Sequence, residues 1–126
     1  MGRFPLSHLL LMKDSNYPWF ILVPDRDNIT EIHQLSDKDQ QQLIAESSIL
    51  SRIIEQKFKA DKINIAALGN LVPQLHLHHI VRYTTDAAWP APVWGKLPAK
   101  PYTDEEMQQV ITLLKTGLSA DFKYLL

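Results

Sequence analysis

Up to Pro24 the apolar positions fall into two short runs. "PLSHLLLMK" reads as a strand, and "PWFILVP" as a second, fenced by Pro18 and Pro24. The polar "KDSN" between them has the composition of a hairpin turn, because Asp14, Ser15 and Asn16 bond readily to nearby backbone. "NITEIHQL" is expected to be a loop with one helical turn. Beyond it the period becomes helical: Leu43, Leu50, Ile53, Ile54 and Phe58 share a side, with Glu46, Arg52, Glu55 and Lys59 assigned to solvent. Ser36 with Asp39 is a weak capping pair for that helix. "KINIAALGN" returns to strand character and stops at Gly69-Asn70, a turn signal. "QLHLHHIVRY" then reads as the second strand of a hairpin. After Tyr83 the chain is irregular and rich in Trp and Pro, until Thr103 and Glu106 cap a helix through Met107, Val110, Ile111 and Leu114 that ends near Gly117. This order of elements predicts an α+β fold with a mainly antiparallel sheet.

Length, charge and cysteine content narrow the picture further. A chain of 126 residues supports one core, so a single domain over residues 1–126 is expected. A net charge of −1 argues against a protein that works by gripping a nucleic-acid backbone. A small anionic ligand needs only a few local donors and is not excluded by that balance. With no cysteine there is no disulfide, thiolate metal site or thiol nucleophile. The apolar run in "MGRFPLSHLLLMKD" is too short for a signal peptide or membrane span, so no membrane association and a cytoplasmic location are expected.

The chemistry concentrates in "QLHLHHI". Strand alternation puts Gln74, His76, His78, Ile80 and Arg82 on one face, and Leu75, Leu77, His79, Val81 and Tyr83 on the other. His76 and His78 are therefore a pair, about 7 Å apart along the strand, and His79 is an outlier. Three readings stay open on these residues alone. The histidines are half-buried strand residues bonded to neighbours. Alternatively His76 and His78 chelate zinc, which needs a third ligand such as the unplaced His8 or His33. In the third reading one imidazole attacks phosphorus while the other serves the departing oxygen, with Gln74 and backbone N–H groups binding developing charge.

"QLHLHHIVR" resembles the signature of the histidine triad nucleotide-binding proteins, in which three histidines alternate with apolar residues along one strand. "SNYPWFILVP" looks like that family's second strand and exit proline, and "INIAALGN" like the strand before the triad. "DAAWPAPVWG" is similar to the tryptophan–proline segment of the purine nucleoside phosphoramidase branch and of a bacterial subgroup. The resemblance covers roughly residues 8 to 95. It implies a sheet of about five antiparallel strands with two helices, and a homodimer.

Position by position, the family's nucleophilic middle histidine falls on His76, the third on His78 and the first on Gln74. A further family histidine falls on Trp19, and His79 takes a place that is usually apolar, so valine there is expected to be tolerated. Asp14 fits the acidic residue that binds ribose hydroxyls, although a plain turn former explains it equally on local grounds. Asn64 lies near a family asparagine at the phosphates, and Asn70 with the Leu71 backbone matches a phosphate-binding loop; Asn70 also suits a tight turn. On general grounds Trp89 and Trp94 are packing residues; the resemblance adds Trp89 to the nucleotide-binding set. The segment between them is expected to pack on a partner chain or rim its site.

The implied activity is cleavage at the α-phosphorus of a nucleoside phosphoramidate or dinucleoside polyphosphate, with a purine nucleotide or dinucleotide as substrate. His76 attacks, a nucleotidyl-histidine forms and water hydrolyses it, His78 donates to the leaving group, and Gln74 orients. The scheme requires no metal or other cofactor. The alternatives are a nucleotide-binding module with little catalysis and a zinc-binding protein.

Overall fold

The two runs before Pro24 close on each other as an antiparallel pair. Strand β2 (Ser7–Leu11) lies against β3 (Trp19–Pro24), with Ser7 opposite Pro24 and Leu11 opposite Phe20. In a computed structural model of the chain, residues 1–118 and 122–124 are described, Tyr124 by its backbone alone. The further strands are β1 (Gly2–Arg3), β4 (Lys62–Ala66), β5 (Leu77–Arg82) and β6 (Lys123–Tyr124). They form one sheet in the order β4-β5-β3-β2-β1-β6, antiparallel at every pairing. The fold is the expected α+β arrangement of an antiparallel sheet with two helices. The strand count runs above five because β1 and β6 are two-residue pieces, too short to carry a hydrophobic period.

Helix α1 spans Asp37–Phe58, and the Ser36 hydroxyl accepts from the Asp39 N–H at its start. Helix α2 spans Asp104–Lys115 behind the reciprocal Thr103–Glu106 box. "NITEIHQL" contains a single 3-10 turn, Ile32–Gln34. Leu50, Ile53 and Ile54 of α1 and Leu114 of α2 share one core with Leu9, Phe20, Leu22 and Val81 of the sheet. Both helices thus cover the same sheet face and leave the opposite face for other work. No helix among the described residues is long and apolar enough to cross a membrane.

One assignment on α1 is corrected. Glu46 is fully buried rather than solvated. Its carboxylate accepts from the N–H groups of Leu6 (2.8 Å) and Ser7 (2.9 Å) and from Gln42 Nε2 (2.8 Å). Burying a carboxylate is costly unless donors surround it, and these donors fasten the start of β2 to the helix. The helical period itself puts Glu46 on the apolar stripe, one turn from both Leu43 and Leu50, and only its charge argued for solvent.

Candidate functional site

Cross-strand partners stand side by side on one sheet face, so register lays out the face turned away from the helices. Leu10, Ile21, His78 and Ala66 form one row, and Trp19, Ile80 and Asn64 the next. Strand β5 begins only at Leu77, so Gln74 and His76 lie in the segment leading into it. That segment is held by the loop after β3: Leu75 N–H donates to the Ile29 carbonyl, and Gln74 Nε2 to the Arg26 carbonyl. Leu10, Ile21, Val23, Val72, Gln74 and His76 line a groove of about 220 Å³ whose walls are mostly apolar.

The histidines differ in their partners. His76 Nδ1 lies 2.7 Å from the Gln74 carbonyl. A carbonyl only accepts, so Nδ1 carries the proton and Nε2 keeps its lone pair. The His78 ring is edge-on to His76, with centroids 4.8 Å apart, and its Nδ1 accepts from Trp19 Nε1 at 3.0 Å. Burial, with a smaller contribution from His76, pushes His78 down to about 4. His79 points to the helix side, where Nε2 meets Ser47 Oγ at 2.7 Å and Nδ1 meets the Leu77 carbonyl at 3.1 Å. Burial also lowers His79 to about 4, against the opposing pull of the Leu77 carbonyl. Both of its ring nitrogens are in use, so the expectation that valine substitutes there at no cost is corrected.

A proline-rich strap completes the groove side. Arg82 is buried and donates to Asp86 through Nε and Nη2, to Asn64 Oδ1 through Nη1 (2.7 Å), and to the Ala91 carbonyl (2.8 Å). Asp86 also accepts from the N–H groups of Tyr83, Ala88 and Trp89. The bond from Arg82 chiefly, aided by the Tyr83 and Trp89 N–H groups, holds its carboxyl down at about 2 against the opposing effect of burial. The Trp89–Pro90 bond is cis. At its far end the strap is tied to the β2–β3 turn, where Ser15 N–H donates to the Lys100 carbonyl and Asn16 Nδ2 to the Pro98 carbonyl. Between the ties Gly95 takes φ +76, a backbone state that suits glycine, and Trp94 is set edge-on to Trp19 (5.5 Å) and His78 (5.2 Å).

A scan of family models matches the HIT domain over residues 1–85. Solved histidine triad proteins share the architecture. The one from Marinobacter aquaeolei VT8 is 53% identical, with a TM-score of 0.90 over 93% of this chain and 85% of its own. The one from Bradyrhizobium japonicum is 50% identical, with a TM-score of 0.90 over 92% of this chain and 87% of its own. The chain belongs to the HIT family.

Among curated relatives, a bis(5'-adenosyl)-triphosphatase of Saccharomyces cerevisiae (strain YJM789) is 32% identical over 68 residues, half of this chain. The chain spans about a third of the length of the curated relatives it matches.

Within this HIT domain the sequence-derived residues separate. Gln74, His76 and His78 come together, Gln74 through its main-chain carbonyl rather than its amide. Asp14 is buried, and its Oδ1 accepts from the Asn16 backbone, the Asn16 side chain and Lys100 N–H, so it organises the turn. Asn64 is engaged by Arg82. Asn70 and Leu71 are exposed in the β4–β5 loop, beside the groove residue Val72. Trp89 lies against the Arg82 guanidinium, which is 5.5 Å from its ring centroid, whereas Trp94 touches His78. Sequence reasoning missed Trp94 and saw at Trp19 only a lost imidazole. The Pro and Gly flanking Trp94 were the available signal. No group of three or more His, Asp or Glu side chains disposed to hold a metal occurs among the described residues, so the zinc reading lacks its third ligand.

Proposed function

We propose that this HIT protein hydrolyses, or transfers from, an α-phosphorus bond of a purine nucleotide derivative, either a dinucleoside polyphosphate or a nucleoside phosphoramidate. One observation carries the reading. The Gln74 carbonyl fixes the His76 proton on Nδ1 and leaves Nε2 as a nucleophile beside a groove. The same carbonyl stabilises the imidazolium that forms as Nε2 bonds to phosphorus. The resulting nucleotidyl-histidine is cleaved by water, and His78 hydrogen-bonds the leaving group. The apolar groove walls suit a base or ribose face, and the β4–β5 loop with Asn70 and the Leu71 backbone would meet phosphate oxygens. Asp14 has its Oδ1 committed to the turn, so a ribose hydroxyl would use Oδ2. Asn64 and Trp89 would act indirectly, by holding Arg82 and the strap. A cytoplasmic homodimer is part of the proposal: β4 is an edge strand of the sheet and its Ile65 is half exposed.

A binding module with little catalysis is the second reading, favoured by Gln74 and Trp19 at positions where the family resemblance expects imidazoles. Turnover of diadenosine triphosphate and of an adenosine phosphoramidate, measured beside calorimetric nucleotide binding, separates the two. Turnover of either substrate that is lost in His76→Ala supports the hydrolase. Tight binding with no turnover of either leaves the module.

A further inference from the structure

Resting on the hydrolase reading above, we propose that Trp19 determines which leaving groups the site serves. It holds His78 as a neutral Nε2–H donor and so selects phosphoric-anhydride bonds over phosphoramidate bonds.

The geometry is specific. Trp19 and His78 are both buried, and the indole nitrogen lies 3.0 Å from His78 Nδ1. An indole N–H is a donor only, so His78 Nδ1 must present its lone pair. A neutral imidazole has one N–H, which is then on Nε2. Protonating Nδ1 would set two donors against each other in a buried place, with the Trp19 N–H unpaired. The groups around His78 give such a proton no help. Strand β3 contributes Trp19 and Ile21, β4 contributes Ala66, and the strap contributes Trp94. The titratable group facing it is His76, a like charge if protonated. No carboxylate hydrogen-bonds His78 among the described residues.

The consequence is chemical. In an anhydride, the His76 Nε2 lone pair forms the N–P bond, and the bridging P–O bond breaks with its electron pair leaving on oxygen. That oxygen is stable as an anion and needs only the hydrogen bond from His78 Nε2–H. Water then attacks phosphorus, the P–N bond breaks, its pair returns to Nε2, and the water proton passes to solvent. In a phosphoramidate the departing nitrogen must gain a proton as its bond breaks. A neutral His78 surrenders its only N–H poorly, and the His76 Nδ1 proton is committed to its bond with the Gln74 carbonyl. Trp19 is therefore a positioning residue that acts through His78.

The test labels the histidines with ¹⁵N and follows ring-nitrogen shifts from about pH 8 to about pH 5.5, around the ordinary histidine range, in wild type, Trp19→Phe and Trp19→His. In parallel, kcat/KM is measured for diadenosine triphosphate and adenosine phosphoramidate. Wild-type His78 is expected as the Nε2–H tautomer alone, without titration in that range, and the anhydride as the better substrate. Trp19→Phe should bring protonation at Nδ1 and narrow the anhydride preference by about tenfold or more, within the usual reach of an acid catalyst. Trp19→His, which supplies a second proton carrier, should narrow it too. His78 protonated on Nδ1 or titrating at its ordinary value, a wild type that prefers the phosphoramidate, or a preference unmoved in both variants overturns the proposal. No turnover of either substrate sinks the hydrolase reading and the selectivity with it; the nitrogen shifts still judge the hydrogen bond.

Discussion

His78 and His79 are neighbours in β5, both buried and both held near 4, yet they end on opposite faces of the sheet. On the helix side His79 is closed in, with Ser47 and the Leu77 carbonyl occupying both ring nitrogens. On the groove side His76 and His78 each commit Nδ1, one to a carbonyl and the other to an indole, and neither ring bonds a protein group through Nε2 among the described residues. The number of histidines in a motif is thus a poor measure of its chemistry. What counts is which nitrogen the scaffold leaves available, because only that atom can attack or donate.

The comparison is broken most severely at His76. His76→Ala should lower turnover by at least about a thousandfold while nucleotide still binds, since the lost bond forms mainly in the transition state. His79→Ala should leave turnover of the folded protein within a few-fold, and steady-state kinetics on both variants decide. Next comes the strap that closes the groove side. Asp86→Ala leaves the Arg82 guanidinium buried without its carboxylate and should cost about 3–5 kcal/mol in urea unfolding. An exposed, screened pair would lose under 1 kcal/mol or so, a result that would contradict the burial seen here.

Acid sharpens the likeness between the two buried histidines. Each has a folded-state value of about 4, below its ordinary 6.5. As pH falls through 6.5 the unfolded chain takes up protons that the folded chain refuses. Stability present at neutral pH is therefore lost progressively down to about 4. From about pH 7.5 to 5.5 the pair should account for a loss of about 3 kcal/mol, at 1.36 kcal/mol per unit for each. A stability flat over that range would show that the histidines are solvated. The smallest effect is expected at His79→Val, which strands the Ser47 hydroxyl and the Leu77 carbonyl. Unfolding should be easier by about 1–3 kcal/mol with turnover nearly unchanged.

Much of the fold was legible because its long elements carry clean periods. The β2–β3 hairpin, both helices with their Ser36 and Thr103 caps, and the split of His76 and His78 from His79 follow from alternation and capping chemistry. Buried polar partnerships were not legible. Glu46 stands on the apolar stripe of its helix, but its charge argues for solvent, and only the backbone of Leu6 and Ser7 arriving from elsewhere supplies the donors that let it be buried. Trp19 is separated from His78 by 59 positions, so its hydrogen bond is a product of strand pairing. Trp94 reaches His78 because Arg82 and the β2–β3 turn pin the strap on either side of it, a geometry invisible in a run of prolines.

The most direct test of the central claim is to mix the protein briefly with diadenosine triphosphate, quench in base-stable conditions and weigh the intact chain. The account predicts an added nucleotidyl group that peptide mapping places on His76 and that is missing in His76→Ala. An adduct on another residue, or turnover with no adduct trapped on any timescale down to the first cycle, would contradict a covalent mechanism through His76.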